Sequence, residues 1–176
     1  MSDFLKFYEE EREALYNFIL GKVRHREEAE DILSEAFVRA IRFEKEGGNV
    51  THARGLLYKI ARNLIIDRGR GTQRDPILIS IHEESEENRP LDVPDLLPLA
   101  DELFDREIAV DEIRSILSRL REESREIIEL RYFQQLDIEE IAETLEKSEG
   151  AIRVQIHRAT NELRDLFHPV RNLGEG

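Results

Sequence analysis

The residues of this sequence best suited to recognising another molecule are two arginines and a glutamine near position 155. Arg153 and Arg158 can donate to guanine edges or to phosphates, and Gln155 can pair with adenine. Gly150 lets the backbone approach a partner closely. These residues belong to a predicted helix whose opposite side is apolar, and that pattern favours a helix that enters the major groove of DNA.

Two predicted helices and the turn between them position these side chains. The first helix is short, begins after Asp137 as its N-cap, and has a buried stripe formed by Ile138, Ile141, Ala142 and Leu145. Glu146 and Lys147 form the turn. Ser148 caps the second, longer helix, whose inner stripe consists of Ile152, Ile156, Ala159 and Leu163. The spacing predicts a helix-turn-helix motif.

Catalytic and metal-binding chemistry find no support in the sequence. It contains no cysteine, which excludes disulfides, thiolate zinc sites and cysteine nucleophiles. His25 has no second histidine at metal-ligand spacing, so we interpret it as part of a solvated helix end. The run Gly69-Arg70-Gly71-Thr72 lacks the lysine and the spacing of a P-loop. We therefore expect a protein that is not an enzyme and that binds no cofactor or metal.

Charge is distributed unevenly along the chain, although the net charge is −13. Residues 54–74 hold six basic residues and one acidic residue, whereas residues 75–105 hold one basic and ten acidic residues. A protein that binds nucleic acid needs a local positive face and not a positive total. The acidic remainder would suppress nonspecific binding of the free protein to DNA.

Apolar residues recur at helical spacing in both halves of the chain, which predicts an all-α fold. In the first half we predict one or two helices before Gly21, an amphipathic helix over 26–43 and a third helix over 53–69. The inward residues of the third helix are predicted to be Leu57, Ile60, Ala61 and Leu64. Helical patterning returns near Asp101, and the helix before the two-helix motif is marked by Ile127, Ile128, Leu130 and Phe133.

The stretch between the two halves has a different composition. Residues 71–99 contain four prolines and the acidic run Glu83-Glu84-Ser85-Glu86-Glu87, so a compact fold is not expected there. We predict two small helical domains, over residues 1–72 and 101–170, joined by a flexible acidic linker over 73–100.

Membrane insertion and secretion are not expected. The stretch MSDFLKFYEEERE lacks the basic region and the apolar run of a signal peptide. No apolar run approaches the length of a membrane-spanning helix. A cytoplasmic protein is the simplest interpretation.

Three stretches of the sequence resemble bacterial RNA polymerase sigma factors. RYFQQLDIEEIAETLEKSEGAIRVQIHRATNELRDLF resembles their fourth conserved domain, which recognises the −35 promoter element. AEDILSEAFVRAIR resembles the polymerase-binding helix of their second domain, and LLYKIARNLIIDRGR resembles its −10 helix. Because only these two domains are represented, the match is to the extracytoplasmic-function (ECF) group. The resemblance implies a sigma-2-like helical bundle, a sigma-4-like helix-turn-helix domain, and promoter-specific transcription initiation with core RNA polymerase and promoter DNA as partners.

The resemblance also implies roles for individual residues. It implies a polymerase-binding surface formed by Asp31, Ser34, Glu35 and Arg39. It implies a pocket for an extruded base in the loop 46–52, with hydrogen-bonding groups supplied by Asn49, Thr51 and His52. It implies further −10 contacts by Lys59, Arg62, Asn63 and Arg70. It implies −35 contacts by Glu149, Gly150, Arg153, Val154, Gln155, His157 and Arg158. Factors of this group are commonly held inactive by an anti-sigma protein, so we expect a partner of that kind.

Three alternatives stay open on the residues alone. The two-helix motif could be an ordinary helical hairpin with a charged face. A conventional regulator would bind an operator, typically as a dimer and without polymerase, but it leaves the first-half motifs unexplained. A helical adaptor that binds only protein leaves the basic stretch 54–74 unexplained.

Overall fold

The computed structural model describes residues 2–71 and 110–171, and every element in these two ranges is helical. The prediction of an all-α fold is confirmed. The chain divides into two compact units. The predicted linker over 73–100 and the predicted start of the second domain at residue 101 lie outside the described residues.

The first unit includes residues 142–146 and three helices: α1 (Ser2–Val23), α2 (Arg26–Lys45) and α3 (Ala53–Gly71). A single helix occupies the region where one or two were predicted. It continues through Gly21 and ends at Val23. The chain leaves α1 at Arg24, whose φ is 57°. The Arg24 N–H donates to the carbonyl of Leu20 at 2.8 Å, which satisfies a carbonyl of the last turn.

Apolar stripes of the three helices form the core of the first unit. Helical spacing predicts a stripe on α2 formed by Ala29, Ile32, Leu33, Ala36, Phe37, Ala40 and Ile41. The first five of these residues are buried, whereas Ala40 and Ile41 are half-buried. The stripe predicted on α3 is wrong at one position: Tyr58 is fully buried, whereas Ile60 is only half-buried. The Tyr58 ring packs against Phe18 of α1, with 5.3 Å between ring centroids, and so takes the inward position.

Ion pairs connect α3 to both of the other helices. Arg54 of α3 lies 3.0 Å from a carboxylate oxygen of Glu11 of α1, and both side chains are largely buried. Arg68 of α3 donates to Glu35 of α2 at 3.1 Å. Polar side chains therefore fix α3 against both of its neighbours, in addition to the apolar core.

The second described range contains α4 (Val110–Arg119), α5 (Glu122–Ile128), a π-helical continuation of α5 over Glu129–Phe133, α6 (Ile138–Leu145) and α7 (Glu149–Arg171). The helix α7 packs mainly against α5 and also contacts α4. The apolar core here includes Ile116, Leu120, Ile127, Ile128, Leu130, Ile152, Ala159 and Leu163.

The π-helical segment changes the register that simple helical spacing predicts. Phe133, which was predicted to mark the inner face, has 56% of its surface exposed, and Leu136 is fully buried. The Gln134 N–H donates to the carbonyl of Glu129 at 3.0 Å, five residues earlier. This wider turn inserts an extra residue and rotates the following side chains, so the prediction for Phe133 is wrong.

The start of α5 is held by a carboxylate from α7. Glu162 accepts from the Arg121 N–H at 2.9 Å, from the Arg121 guanidinium at 3.1 Å and from the Ser124 hydroxyl at 2.7 Å. Burial by itself would raise the pKa of Glu162, but these hydrogen bonds outweigh burial and lower that pKa below its ordinary value of 4.5. The carboxylate thus joins the N-terminus of a short helix to the long helix beside it.

Candidate nucleic-acid interface

The recognition helix proposed from the sequence is α7, and its start has the predicted cap. Ser148 Oγ accepts from the Ala151 N–H at 3.2 Å. At the start of α6, Asp137 accepts from the Glu140 N–H at 2.8 Å and Glu140 accepts from the Asp137 N–H at 2.9 Å, which is a reciprocal capping box. Both predicted N-caps are confirmed. The turn between the helices includes Glu146, whose φ is 55°.

The first turns of α7 present most of the predicted −35 residues to solvent. Gly150, Arg153, His157 and Arg158 are exposed and Val154 is half-buried, whereas the inward residues Ile152, Ala159 and Leu163 are at most 2% exposed. Arg153 lies 4.0 Å from the Glu149 carboxylate on the preceding turn. His157 Nε2 and Asn161 Nδ2 are 3.2 Å apart. One side of a capped helix therefore displays two arginines and a histidine.

Gln155 lies at the flank of this face and is already engaged. Its amide nitrogen donates to the carbonyl of Glu123 at 3.4 Å, and its amide oxygen accepts from Lys147 at 3.2 Å. A contact between Gln155 and adenine would require the amide to give up these partners. The structure thus separates Gln155, which is half-buried, from the exposed residues Arg153, His157 and Arg158.

The −10 residues predicted on α3 share one side of that helix. Positions 59, 62, 63 and 70 fall within about one third of the helix circumference. Asn63 and Arg70 are exposed, and Lys59 and Arg62 are half-buried. The basic residues of the last turn of α3 are Arg68 and Arg70. Arg68, which the sequence did not single out, is engaged with Glu35.

The loop between α2 and α3 begins with a tightly closed helix end. Gly47 has a φ of 82°, its N–H donates to the carbonyl of Glu44 at 3.1 Å, and the Gly48 N–H donates to the carbonyl of Phe43 at 2.9 Å. These paired bonds form a Schellman motif, which favours glycine at the left-handed position. The direction in which the chain leaves α2 is fixed by these bonds.

A pocket lies between this loop, the end of α2 and the start of α3. It brings together five residues that the sequence assigned to −10 contacts, namely Asn49, Thr51, His52, Lys59 and Asn63. The lining also includes Phe43, Val50 and Ile60, which the sequence did not single out for contact. Amides, a hydroxyl and an imidazole beside apolar and aromatic surface can hydrogen-bond and stack an unpaired base.

The polymerase-binding residues predicted on α2 lie on one side of that helix. Asp31, Ser34 and Arg39 are exposed and Glu35 is half-buried. Glu35 accepts from Arg39 on its own helix and from Arg68 of α3, and these hydrogen bonds lower the pKa of Glu35. Glu35 therefore has a structural partner as well as a surface position.

One apolar residue on this side of α2 was missed in the sequence. Val38 has 52% of its surface exposed and lies three residues after Glu35 and four after Ser34, at the centre of the face. The signal was available, since an apolar residue in register with the polar positions departs from the amphipathic pattern. The face thus combines charged residues with a central aliphatic one.

The role of His25, metal binding and membrane spanning can be assessed in the described ranges. His25 is the N-cap of α2, with Nδ1 accepting from the Glu28 N–H at 3.5 Å. Within residues 2–71 and 110–171, histidine, aspartate and glutamate side chains form no group of three that could hold a metal ion. No helix in these ranges has an apolar stretch long enough to cross a bilayer.

Comparison with known families matches both halves of the chain. Residues 7–75 match the Sigma-70 region 2 family, and residues 111–163 match the Sigma-70, region 4 family. The first matched segment contains most of α1 and all of α2 and α3, and the second contains α4 without Val110, α5, α6 and the first part of α7. They occur in the order that the resemblance of the quoted motifs implies.

Similar proteins of known family extend over most of the chain. The ECF RNA polymerase sigma factor SigW of Bacillus subtilis is 30% identical over 93% of this chain and 86% of that protein. SigX of the same organism, also an ECF sigma factor, is 29% identical over 96% of this chain and 85% of that protein. SigL of Mycobacterium tuberculosis, another ECF sigma factor, is 28% identical over 89% of this chain and 84% of that protein.

A solved structure shares the fold. The sigma factor RpoE of Bartonella quintana, crystallised in complex with the anti-sigma factor NepR, has a TM-score of 0.56 and 18% identity, with coverage of 96% of this chain and 98% of that one. At this identity the likeness concerns the fold alone.

Two sigma regions on helical units define a bacterial transcription initiation factor. The chain belongs to the ECF group of RNA polymerase sigma factors. Neither a conventional operator-binding regulator nor a protein-only adaptor accounts for the matches in both halves. We therefore set these two alternatives aside.

Proposed function

We propose that this chain binds core RNA polymerase in the cytoplasm and directs it to promoters by recognising their −35 and −10 elements with different helices. The observation that supports this most strongly is the side-chain arrangement on α7. Arg153, His157 and Arg158 project from the first half of α7, opposite the buried residues Ile152, Ala159 and Leu163. A recognition helix contacts base edges from this part.

For the −35 element, we assign contact to the exposed face at the start of α7. Arg153 and Arg158 can each donate two hydrogen bonds to a guanine or bind phosphates. Gly150 adds no side chain, so the phosphate backbone can approach the first turn. The other residues assigned to this surface are Glu149, Val154, Gln155 and His157. Gln155 takes part only when its amide leaves Glu123 and Lys147.

For the −10 element, we assign contact to the loop pocket and to the polar side of α3. Asn49, Thr51 and His52 would hydrogen-bond an extruded base, because amide, hydroxyl and imidazole groups match the polar edges of bases. The α3 residues assigned to the adjoining DNA are Lys59, Arg62, Asn63 and Arg70. Arginines and lysine there add phosphate contacts, which increase affinity for every sequence.

For core polymerase, we assign contact to Asp31, Ser34, Glu35 and Arg39 on α2. The exposed carboxylate of Asp31 favours a basic partner surface, since opposite charges steer association. Polymerase carries out the chemistry of RNA synthesis, and we infer that this chain is not itself an enzyme.

An initiation assay tests the proposal. Core polymerase, this chain, and both together are supplied with a pool of bacterial genomic fragments, and RNA 5′ ends are mapped. We expect discrete start sites only with both components, downstream of a shared pair of sequence elements. The proposal is wrong if the mixture starts at the same positions as core polymerase alone.

Charge-reversal variants on α2 distinguish a loss of polymerase contact from a loss of folding stability. Asp31→Arg should abolish core binding in a pull-down while leaving the melting temperature unchanged, because Asp31 is exposed. Glu35→Arg should lose binding and also lower the melting temperature, because it removes the acceptor of Arg68. Undiminished binding by Asp31→Arg would remove this face from the interface.

We also propose regulation by an anti-sigma protein that competes with polymerase for this chain. The support is limited to a protein of the same fold, RpoE, which was solved in complex with the anti-sigma factor NepR. A competitor would cover the α2 face around Asp31. Size-exclusion chromatography of core enzyme, chain and inhibitor together should give two binary complexes, and a stable ternary complex would contradict competition.

The domain division is proposed as residues 1–72, 73–100 and 101–170. Its support is the composition of 73–100 and the interval between the two matched family segments, 7–75 and 111–163. Limited proteolysis should cut first between Arg74 and Leu99. Early cleavage inside α2 would contradict this division.

A further inference from the structure

Phe43 is a large aromatic residue that the core does not use. It lies two residues before Lys45, the last residue of α2, and 42% of its surface is exposed. Exposing an aromatic side chain forgoes the free energy of burying it. The same ring lines the pocket that contains Asn49, Thr51 and His52. Its position is therefore beside hydrogen-bonding groups and open to a ligand.

The backbone fixes Phe43 in this position. The carbonyl of Phe43 accepts from the Gly48 N–H at 2.9 Å, as part of the motif that ends α2. In such motifs an apolar contact commonly joins these same two positions. Here the second position is a glycine, so the ring lies directly against the Gly48 backbone.

The missing side chain of Gly48 leaves space for the ring, and the backbone conformation there does not depend on glycine. Its φ is not positive, in contrast to that of Gly47. A β-carbon on Gly48 would overlap the Cε1, Cδ1 and Cζ atoms of the Phe43 ring. One surface of the ring is thus covered by backbone that carries no side chain, while much of the remaining surface is exposed.

An open aromatic surface beside hydrogen-bonding groups has a specific use when the ligand is a nucleotide base. A base that leaves the helical stack loses its stacking partners, and an aromatic side chain can replace them. Stacking accepts any base, because every base has a π-face. Hydrogen-bonding groups around the ring then select which base is retained.

We propose that Phe43 is the stacking platform for the extruded −10 base, and that Gly48 is glycine so that the ring can lie against the loop. This proposal rests on the −10 function assigned to the pocket above. In it Phe43 supplies affinity for the base, whereas Asn49, Thr51 and His52 supply base identity.

The test uses holoenzyme, formed from core polymerase and this chain, and a pool of short single-stranded DNA with a randomised core. The sequence that wild-type holoenzyme selects is then remade with one abasic site at each position in turn. Phe43→Leu, which keeps an apolar side chain but removes the ring, should weaken binding of the intact oligonucleotide by about 5- to 150-fold. Phe43→Tyr should bind the intact oligonucleotide as tightly as wild type, because the ring is retained.

A double-mutant cycle identifies the stacked base. At one position, removing the base should weaken wild-type binding strongly and Phe43→Leu binding little, since the partner is already absent. Gly48→Ala should resemble Phe43→Leu, and the two changes together should be no worse than either alone. An unchanged melting temperature in each variant controls for folding.

The outcomes distinguish this proposal from the function on which it rests. If wild-type holoenzyme selects no sequence, the −10 assignment and the platform both fail. If it selects a sequence but Phe43→Leu binds that sequence as tightly as wild type, the −10 assignment stands and the platform is wrong. Equal sensitivity of wild type and Phe43→Leu to every abasic site would also overturn it.

Discussion

The two surfaces assigned to DNA are built in different ways. The −35 surface is one side of α7, where exposed residues lie opposite a buried stripe and Ser148 caps the first turn. The −10 pocket is assembled from the end of α2, a loop and the start of α3. A helix face depends on side chains that repeat with the helical period. A loop pocket depends in addition on the path of the backbone, here set by Gly47 and Gly48.

This difference explains which parts of the site could be predicted from the sequence. Helical spacing alone separates Arg153 and Arg158 from the buried Ile152 and Leu163, and the structure agrees. No spacing rule indicates that the ring of Phe43 lies against Gly48, because that contact is produced by the Schellman motif. Periodicity also fails at Phe133, where a π-helical turn inserts a residue.

Interactions between helices likewise could not be predicted from the sequence. Glu35 appeared as one of several polar residues on the α2 face, but Arg68 of α3 donates to it at 3.1 Å. Glu162 gave no signal, although it accepts three hydrogen bonds at the start of α5. Such pairs are distant in sequence, and only tertiary packing brings them together.

The largest effect is expected on the helix face. Arg153→Ala and Arg158→Ala should each weaken binding of a −35 duplex by about 1–3 kcal/mol if the arginine contacts a base edge. The loss should shrink on a scrambled duplex for a base contact and persist for a phosphate contact. Arg164→Ala, on the same helix beyond its first half, is the matched control. Equal losses for all three arginines would mean that only net charge matters.

A slightly smaller effect is expected in the loop. Gly47→Ala forces an L-residue into a left-handed conformation, which costs about 1–2 kcal/mol. Binding of −10 single-stranded DNA by holoenzyme should fall, while −35 duplex binding should not change. Gly21→Ala in α1 has open space around the new β-carbon and should preserve both activities. A parallel loss of −35 binding in Gly47→Ala would break the proposed independence of the two surfaces.

Removing the cap of the recognition helix should have an effect of about 1 kcal/mol. Ser148→Ala deletes the acceptor of the Ala151 N–H, and the cost should appear in the free energy of unfolding measured by denaturant titration. Ser148→Asp should retain the stability, because aspartate also accepts at this position. If Ser148→Ala is as stable as wild type, the cap contributes nothing to α7.

The smallest effect concerns pH. Hydrogen bonds hold the pKa of Glu162 below 4.5 in the folded chain, so its contribution to stability is present above pH 4.5 and is lost as the pH falls through the folded pKa. The difference in unfolding free energy between wild type and Glu162→Gln should therefore narrow on acidification from pH 6. A difference that stays constant down to strongly acidic pH would show that this carboxylate has no role in the acid sensitivity.

The central claim is that one chain recognises two promoter elements with two separately built surfaces. Initiation from a promoter library randomised at both elements tests it most directly, with wild type, Arg153→Ala and Gly47→Ala holoenzymes run in parallel. We predict that Arg153→Ala relaxes sequence preference only in the −35 element and that Gly47→Ala alters preference only in the −10 element. The account is contradicted if both variants change the same element, or if neither changes the preference of wild type.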